Sequence, residues 1–262
     1  MWNANVLSRS PLYWQLFGWL KEKINIFSNW PEPSDYNYWS FNCPVSFVAQ
    51  KYKRTEVFSM QYEPRIYLNR EVLTRDKSWH DFFNALVWMS LPNIKLSINY
   101  QHYRSQLKRQ AMGQRSRLEN NLTHFDECGA IILSSNMELL HLIANHQWHE
   151  LFWLNRDSLL DLQIIIIGHA TYEALLTPYV GLTTKSILFK TSVPKLNLAD
   201  IDEVIANQLE DILDIDECFA PFPILGLPGV IPESHSENFY RNTNYFRPKS
   251  VSKIYKIFDW NN

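Results

Sequence analysis

The sequence predicts an α+β fold, helix-dominated and built as one domain with short strands. Apolar residues recur at helical spacing over long segments, with Ile201, Ile205, Leu209 and Ile212 as the clearest stripe. The β-type runs at 164–167 and 186–189 are short and lie scattered between helices. A chain of 262 residues, 46% hydrophobic and 20% charged, can bury one core without staples, and this excludes a disordered or fibrous chain.

Taken in order, Leu12, Leu16, Leu20, Ile24 and Phe27 predict an amphipathic helix over 11–27, with Pro11 at its start. Its polar face lacks the Lys and Arg excess of a membrane-surface helix, so it is expected to dock on the protein's own core. Residues 28–44 hold Pro31, Pro33 and Pro44 and read as a connecting loop. Short β segments are expected at 57–60 and 65–68. Residues 79–89 are apolar nearly all round and predict a buried helix, with Ser78 as cap and Asp81 completing a capping box. After Pro92, a long helix follows over 93–112.

Residues 122–125 and 130–133 flank Asp126-Glu127-Cys128-Gly129 and predict a β-hairpin. Ser135 and Glu138 suggest a second capping box opening a helix through Leu142. Gly168 then turns strand 164–167 into a short helix over 169–176, halted by Pro178. Residues 198–213 form the clearest helix. From Phe219 onward the Pro- and aromatic-rich segment is expected to wrap the surface.

Several function classes are excluded. The 7 glycines are too dispersed for G-x-G-x-x-G or G-x-x-x-x-G-K phosphate loops, and neither G-x-S-x-G nor H-E-x-x-H occurs. A net charge of −2 provides no global pull toward nucleic acid or anionic lipid. Cys43, Cys128 and Cys218 fit neither a disulfide framework nor a metal knuckle, so a reducing, cytoplasmic setting is expected. No apolar run reaches the roughly 20 residues of a membrane span. Charge is nevertheless uneven. Lys95, Arg104, Lys108, Arg109, Arg115 and Arg117 fall in an acid-free segment, while ten acids lie between Asp200 and Glu237. The 95–117 segment could offer a basic face to nucleic acid or a phosphorylated ligand. The alternative is that the two segments attract each other.

Three polar constellations interrupt otherwise core-like segments. His80, Asp81 and Asn84 lie together on the buried helix, where polar groups need partners. Asp126 and Glu127 pair two carboxylates, a pattern suited to a cation or to proton transfer. His169 and Glu173 stand one helical turn apart directly after a strand. His146 and His149 are a weaker pair, expected to be solvated on an exposed helix. Together these suggest a soluble protein acting as a metal-dependent hydrolase with a buried His/Asp/Glu site, with phosphate esters or nucleic acid as substrate. A divalent ion would be held by His80, Asp81, His169 and Glu173. Asp126, Glu127 and Asn84 would be catalytic, and Arg65, Arg115 and Arg117 would bind substrate. A non-catalytic binding or structural protein is the alternative, its polar residues forming a buried hydrogen-bond network.

Specific stretches carry a resemblance. They are Tyr62-Glu63-x-Arg65-Ile66, the block from Trp79 through Trp88, Phe125-Asp126-Glu127-x-Gly129-Ala130, and Gly168-His169-Ala170. Near the end, Pro221 to Gly229 and the stretch from Phe239-Tyr240 through Tyr245-Phe246-Arg247-Pro248 join them. Over roughly 60–250 the chain resembles the bacterial domain of unknown function 3025 family, leaving 1–59 as a helix-and-loop extension of the single 1–262 domain. It departs from the pattern at Cys128, where asparagine is expected, and at Val230 and Ile231, where tryptophan is expected. The resemblance implies no activity or cofactor. It favours His80, Asp81, Asn84, Asp126, Glu127 and His169 over the His146–His149 pair.

Overall fold

The computed structural model describes residues 1–24, 27–40, 43–50 and 57–260, with 110–112 described by backbone alone. The N-terminal segment forms two helices, α1 (Pro11–Phe17) and α2 (Lys21–Ile24), joined by a 3-10 turn instead of one continuous helix. Ser10 caps α1 and Pro11 opens it. The expected stripe is the buried one, with Leu12, Leu16, Leu20 and Ile24 in the core. Residues 25 and 26 of the predicted helix, and 41 and 42 of the predicted loop, lie outside the described residues. That loop contains helix α3 (Pro33–Trp39), closed by reciprocal bonds between Glu32 and Asp35.

Strands β1 (Ser46–Ala49) and β2 (Glu71–Thr74) pair in parallel as a separate two-stranded sheet. Between them, the two segments expected as strands are helical: a 3-10 turn at Phe58–Met60 and helix α4 (Tyr62–Asn69). A run as short as 65–68 satisfies either period, and tertiary burial of Ile66 and Pro64 favours the helix. Helix α5 (Trp79–Ser90) starts at its Ser78 cap, but only half of the capping box forms because Asp81 turns its carboxylate to Arg75. Helix α6 (Pro92–Met112) follows at once.

The largest correction concerns the predicted hairpin. Residues 117–128 are helix α7 (Arg117–Cys128), which runs directly into strand β3 (Gly129–Ser134). Ser116 accepts a hydrogen bond from the Glu119 amide at 3.0 Å and so starts the helix, and Leu122 and Phe125 share its buried face. Gly129 ends the helix in extended backbone, φ −72°, instead of turning a hairpin. Asp126 and Glu127 therefore occupy a final helical turn. Helix α8 (Met137–Ala144) is capped by Asn136, one residue beyond the expected Ser135.

The remaining α-helices and strands are β4 (Gln163–Ile166), α9 (His169–Ala174), β5 (Thr184–Lys190), α10 (Leu198–Leu213), β6 (Ala220–Phe222), α11 (Glu237–Tyr240) and β7 (Ile257–Asp259). Helix α10 docks on α6 through Asp202, whose carboxylate accepts from the Asn93 and Ile94 amides at 2.9 and 2.8 Å. The main sheet has the order β4-β3-β5-β6, and β7 pairs with the far half of the β5 edge. Beyond Phe219 the chain enters the core instead of wrapping it. It supplies two strands and buries Phe222, Ile224, Leu225, Tyr245 and Phe246. One hydrophobic cluster runs from Val6 to Trp260, so the protein is a helix-dominated α+β domain.

Candidate metal centre

Sheet register brings distant residues together. Strand β3 begins at Gly129 directly after Glu127 and Cys128, and antiparallel β4 places Ile166 opposite Ala130. The chain leaving β4 therefore passes the end of α7. The Ile167 and Gly168 amides both donate to the Gly129 carbonyl at 2.9 Å. Gly168 lies so close that a Cβ would stand 2.3 Å from Cys128 Cα and 2.5 Å from the Glu127 carbonyl oxygen. Only glycine permits this approach, and it sets His169 beside Glu127. Helix α5 packs against α9 and contributes His80 from its first turn.

Three side chains converge as a result. His80 Nε2 lies 3.4 Å from Glu127 Oε2, and His169 Nε2 lies 3.7 Å from the same oxygen. The two imidazoles meet edge to face, with ring centroids 4.4 Å apart. Ligand atoms of His80, Glu127 and His169 all fall within 4.8 Å of one another, the only such group of three among the described residues. Two imidazoles and one carboxylate form a donor set suited to zinc- or iron-type ions more than to calcium or magnesium.

The two histidines have opposite electrostatics. Hydrogen bonds to Asp81 and Glu127 outweigh burial and raise the His80 pKa to about 9. Burial pushes His169 down to about 4 and so keeps it neutral, with its Nδ1 buried and without a hydrogen-bond partner. His80 Nδ1 faces Asp81 Oδ1 at 3.2 Å, leaving Nε2 toward the shared point. A carboxylate holding the outer nitrogen fixes ring orientation and tautomer. Burial alone would raise the Asp81 carboxyl, but His80 and Arg75 hold it well below the usual range. Hydrogen bonding from His80 lowers Glu127 in the same way.

The family described as a protein of unknown function (DUF3025) matches residues 45–250. The chain belongs to this family. Comparison with curated proteins and with solved structures gives no match. The DUF3025 match begins before the roughly 60–250 suggested by the motifs and contains every residue of the triad.

In this DUF3025 chain the triad sits in the wall of a cavity of about 480 Å³. Asp81, Asn84, Asp126, Tyr62, Glu63, His102, Gln106, Arg109, Arg115 and Glu119 are also in its lining. Asp126 pairs with Lys95, a lysine only 3% exposed that also lies over the Trp88 ring. Burial would raise Asp126, but Lys95 and His169 outweigh it and keep the carboxyl low. Asn84 donates to the Tyr62 hydroxyl at 2.9 Å.

The other residues expected as ligands or substrate contacts stand outside the triad. Asp81 has its oxygens engaged by Arg75 and His80, and neither it nor Glu173 belongs to the three-residue group. Glu173 is partly buried, and its charge acts on Arg75. Arg65 pairs with Glu71 at 2.6 Å and Arg117 with Asp214 and Asp216, and neither lines the cavity. Five of the six cations over 95–117 are paired with acids. Lys95 is buried on Asp126, Arg104 pairs with Glu210, and Arg109 and Arg115 share Glu119. For Arg104 and Arg117 the attraction between basic and acidic segments is the outcome. His146 and His149 also part: His146 turns left-handed at φ 55° and stacks on Tyr255, while His149 binds Glu237.

Sequence reasoning missed Tyr62, Glu63, Arg75, His102, Gln106, Arg109 and Glu119 as cavity residues. A signal for part of this set was present. Lys95, Asn99, His102, Gln106 and Arg109 recur at steps of four and three, a polar stripe of helical period along α6. Lys95, Asn99 and His102 are all buried.

Proposed function

We propose that the protein is a metal-dependent hydrolase in which His80, Glu127 and His169 hold one divalent ion. The observation that carries this reading is the approach of two imidazole nitrogens to one Glu127 oxygen, at 3.4 and 3.7 Å, in a polar cavity wall. An ion held by these three residues would supply a Lewis acid that lowers the pKa of a bound water to about 7. Asp81 orients His80. Asp126, kept ionised by Lys95, would be the carboxylate to take that water's proton and return it to the leaving group. The water oxygen bonds to the electrophilic centre as the bond to the leaving group breaks. Arg115 offsets substrate charge, and Asn84 fixes the Tyr62 hydroxyl in the wall.

No helix among the described residues is long and apolar enough to cross a membrane. The three cysteines are unpaired, which supports a reducing, cytoplasmic setting.

A second reading is favoured by the His80–Glu127 contact itself. A protonated His80 closes on Glu127 as an ion pair, and the network then stabilises a non-catalytic protein. Cobalt titration of the chelator-stripped protein separates the two. One equivalent should bind with a visible absorption band, lost in His80→Ala and in Glu127→Gln. Chromogenic phosphate esters should then be cleaved only by the metal-loaded wild type. A chain that takes up no ion, or binds it equally without His80, refutes the metal site.

A further inference from the structure

The charges in the cavity wall are not balanced evenly. Arg75 is matched by Asp81 and Lys95 by Asp126, one cation to one acid. At the other end, two guanidinium groups share a single carboxylate. Arg109 Nη1 lies 2.8 Å from Glu119 Oε1, and Arg115 Nε lies 3.5 Å from the same oxygen. The Arg115 Nη2 also donates to Thr123 Oγ1 at 2.6 Å, fixing the fork against α7. The Glu119 side chain is 2% exposed, whereas those of Arg109 and Arg115 are 33% and 45% exposed. Both guanidinium groups meet Glu119 at Oε1, and its Oε2 is buried without a hydrogen-bond partner. Two arginines, both in the lining and both part-exposed, thus stand over one carboxylate, so this end is locally positive, while Glu63 and Glu127 add carboxylates elsewhere in the wall.

The position of this pair sets a length. Glu119 and Glu127 lie on the same helix, eight residues apart, so about 12 Å of α7 separates the arginine end from the metal end. Between them the wall carries His102 and Gln106 from α6, and the Gln106 Oε1 is buried without a hydrogen-bond partner. A planar fork of N–H donors matches the oxygens of phosphate or carboxylate.

We infer that the cavity is a two-ended slot in which Arg109 and Arg115, over the buried Glu119, receive the terminal oxyanion of an elongated small-molecule substrate. The bond to be broken lies about 12 Å away, at His80, Glu127 and His169. This placement of the reacting end rests on the metal-hydrolase reading. The oxyanion subsite itself does not.

The test is calorimetric titration of the full chain, stripped of metal and at low salt, with inorganic phosphate and separately with acetate. At least one should bind, and the tighter of the two identifies phosphate or carboxylate as the substrate's terminus. Arg115→Gln should weaken binding tenfold or more. Glu119→Gln frees both guanidinium groups and should tighten it at least threefold, a gain that a merely structural ion pair does not predict. Glu127→Gln should leave affinity within twofold. The inference is overturned if neither anion binds, if Arg115→Gln has no effect, or if Glu127→Gln weakens binding as strongly as Arg115→Gln. Arginine-dependent binding in a chain that takes up no cobalt would sink the hydrolase reading alone. Cobalt uptake with no anion binding would sink only the oxyanion subsite.

Discussion

Gly168→Ala tests the claim that sheet register assembles the centre. The φ of Gly168 is −66°, which alanine accepts, so the effect is purely steric. The new Cβ would stand 2.3 Å from Cys128 Cα and 2.5 Å from both the Cys128 amide nitrogen and the Glu127 carbonyl oxygen. Ordinary carbon contacts lie near 3.5 Å, so the β4–α9 corner must retreat by about 1 Å, because backbone atoms cannot rotate aside. That retreat strains the two bonds from Ile167 and Gly168 to the Gly129 carbonyl. Overpacking and weakened hydrogen bonds together should cost about 2–5 kcal/mol. It also carries His169 away from Glu127, whereas metal ligands tolerate only about 0.2 Å. Urea denaturation should therefore show a lower unfolding free energy, and cobalt affinity should fall at least a hundredfold. Gly18→Ala is the control, since a Cβ there meets nothing within 4 Å. Wild-type cobalt affinity together with a stability loss below about 1 kcal/mol in Gly168→Ala would refute the reasoning.

Two further outcomes are expected. The His80 pKa is raised from 6.5 to about 9, so its contribution to apoprotein stability, about 3 kcal/mol at most, is fully present below pH 6.5. It is lost as pH rises through 9, and His80→Gln should flatten that part of the pH–stability curve measured in chelator. An unchanged slope in the variant would mean that His80 carries no such linkage. Lys95→Met strands the Asp126 carboxylate beside a buried position and should cost about 3–5 kcal/mol in urea denaturation, most of it recovered by adding Asp126→Asn. Equal losses in the single and double variants would show that the ion pair is not the cause.

Much of the secondary structure was legible because it is local. The α10 stripe, the Ser78 cap and the Gly168 turn follow from spacing and side-chain chemistry within a few residues. The failures came where local signals were degenerate. A turn-like Asp126-Glu127-Cys128-Gly129 tetrad also suits the end of a helix, and the Ser116 cap ten residues upstream decided between them. The segment 65–68 is too short for its period to be unique, and burial of Ile66 settled it.

For the candidate site, residue types were readable and partners were not. His80, Glu127 and His169 stood out as polar groups in core-like segments, a cost that chemistry must offset wherever the chain places them. That Asp81 would face Arg75, that Lys95 would match Asp126, and that Arg109 would join Arg115 over Glu119 depend on which helices pack together. The sequence by itself determined helices such as α5, α6 and α10, the strands near 164–167 and 186–189, and the identity of the imidazole and carboxylate groups, because these depend on neighbours along the chain. Only tertiary structure decided which groups meet: the Ala130–Ile166 register and the close approach at Gly168 bring residues 47 and 89 positions from His80 to one point. Pairings across such separations are set by the packing of a whole core, and no local spacing encodes them.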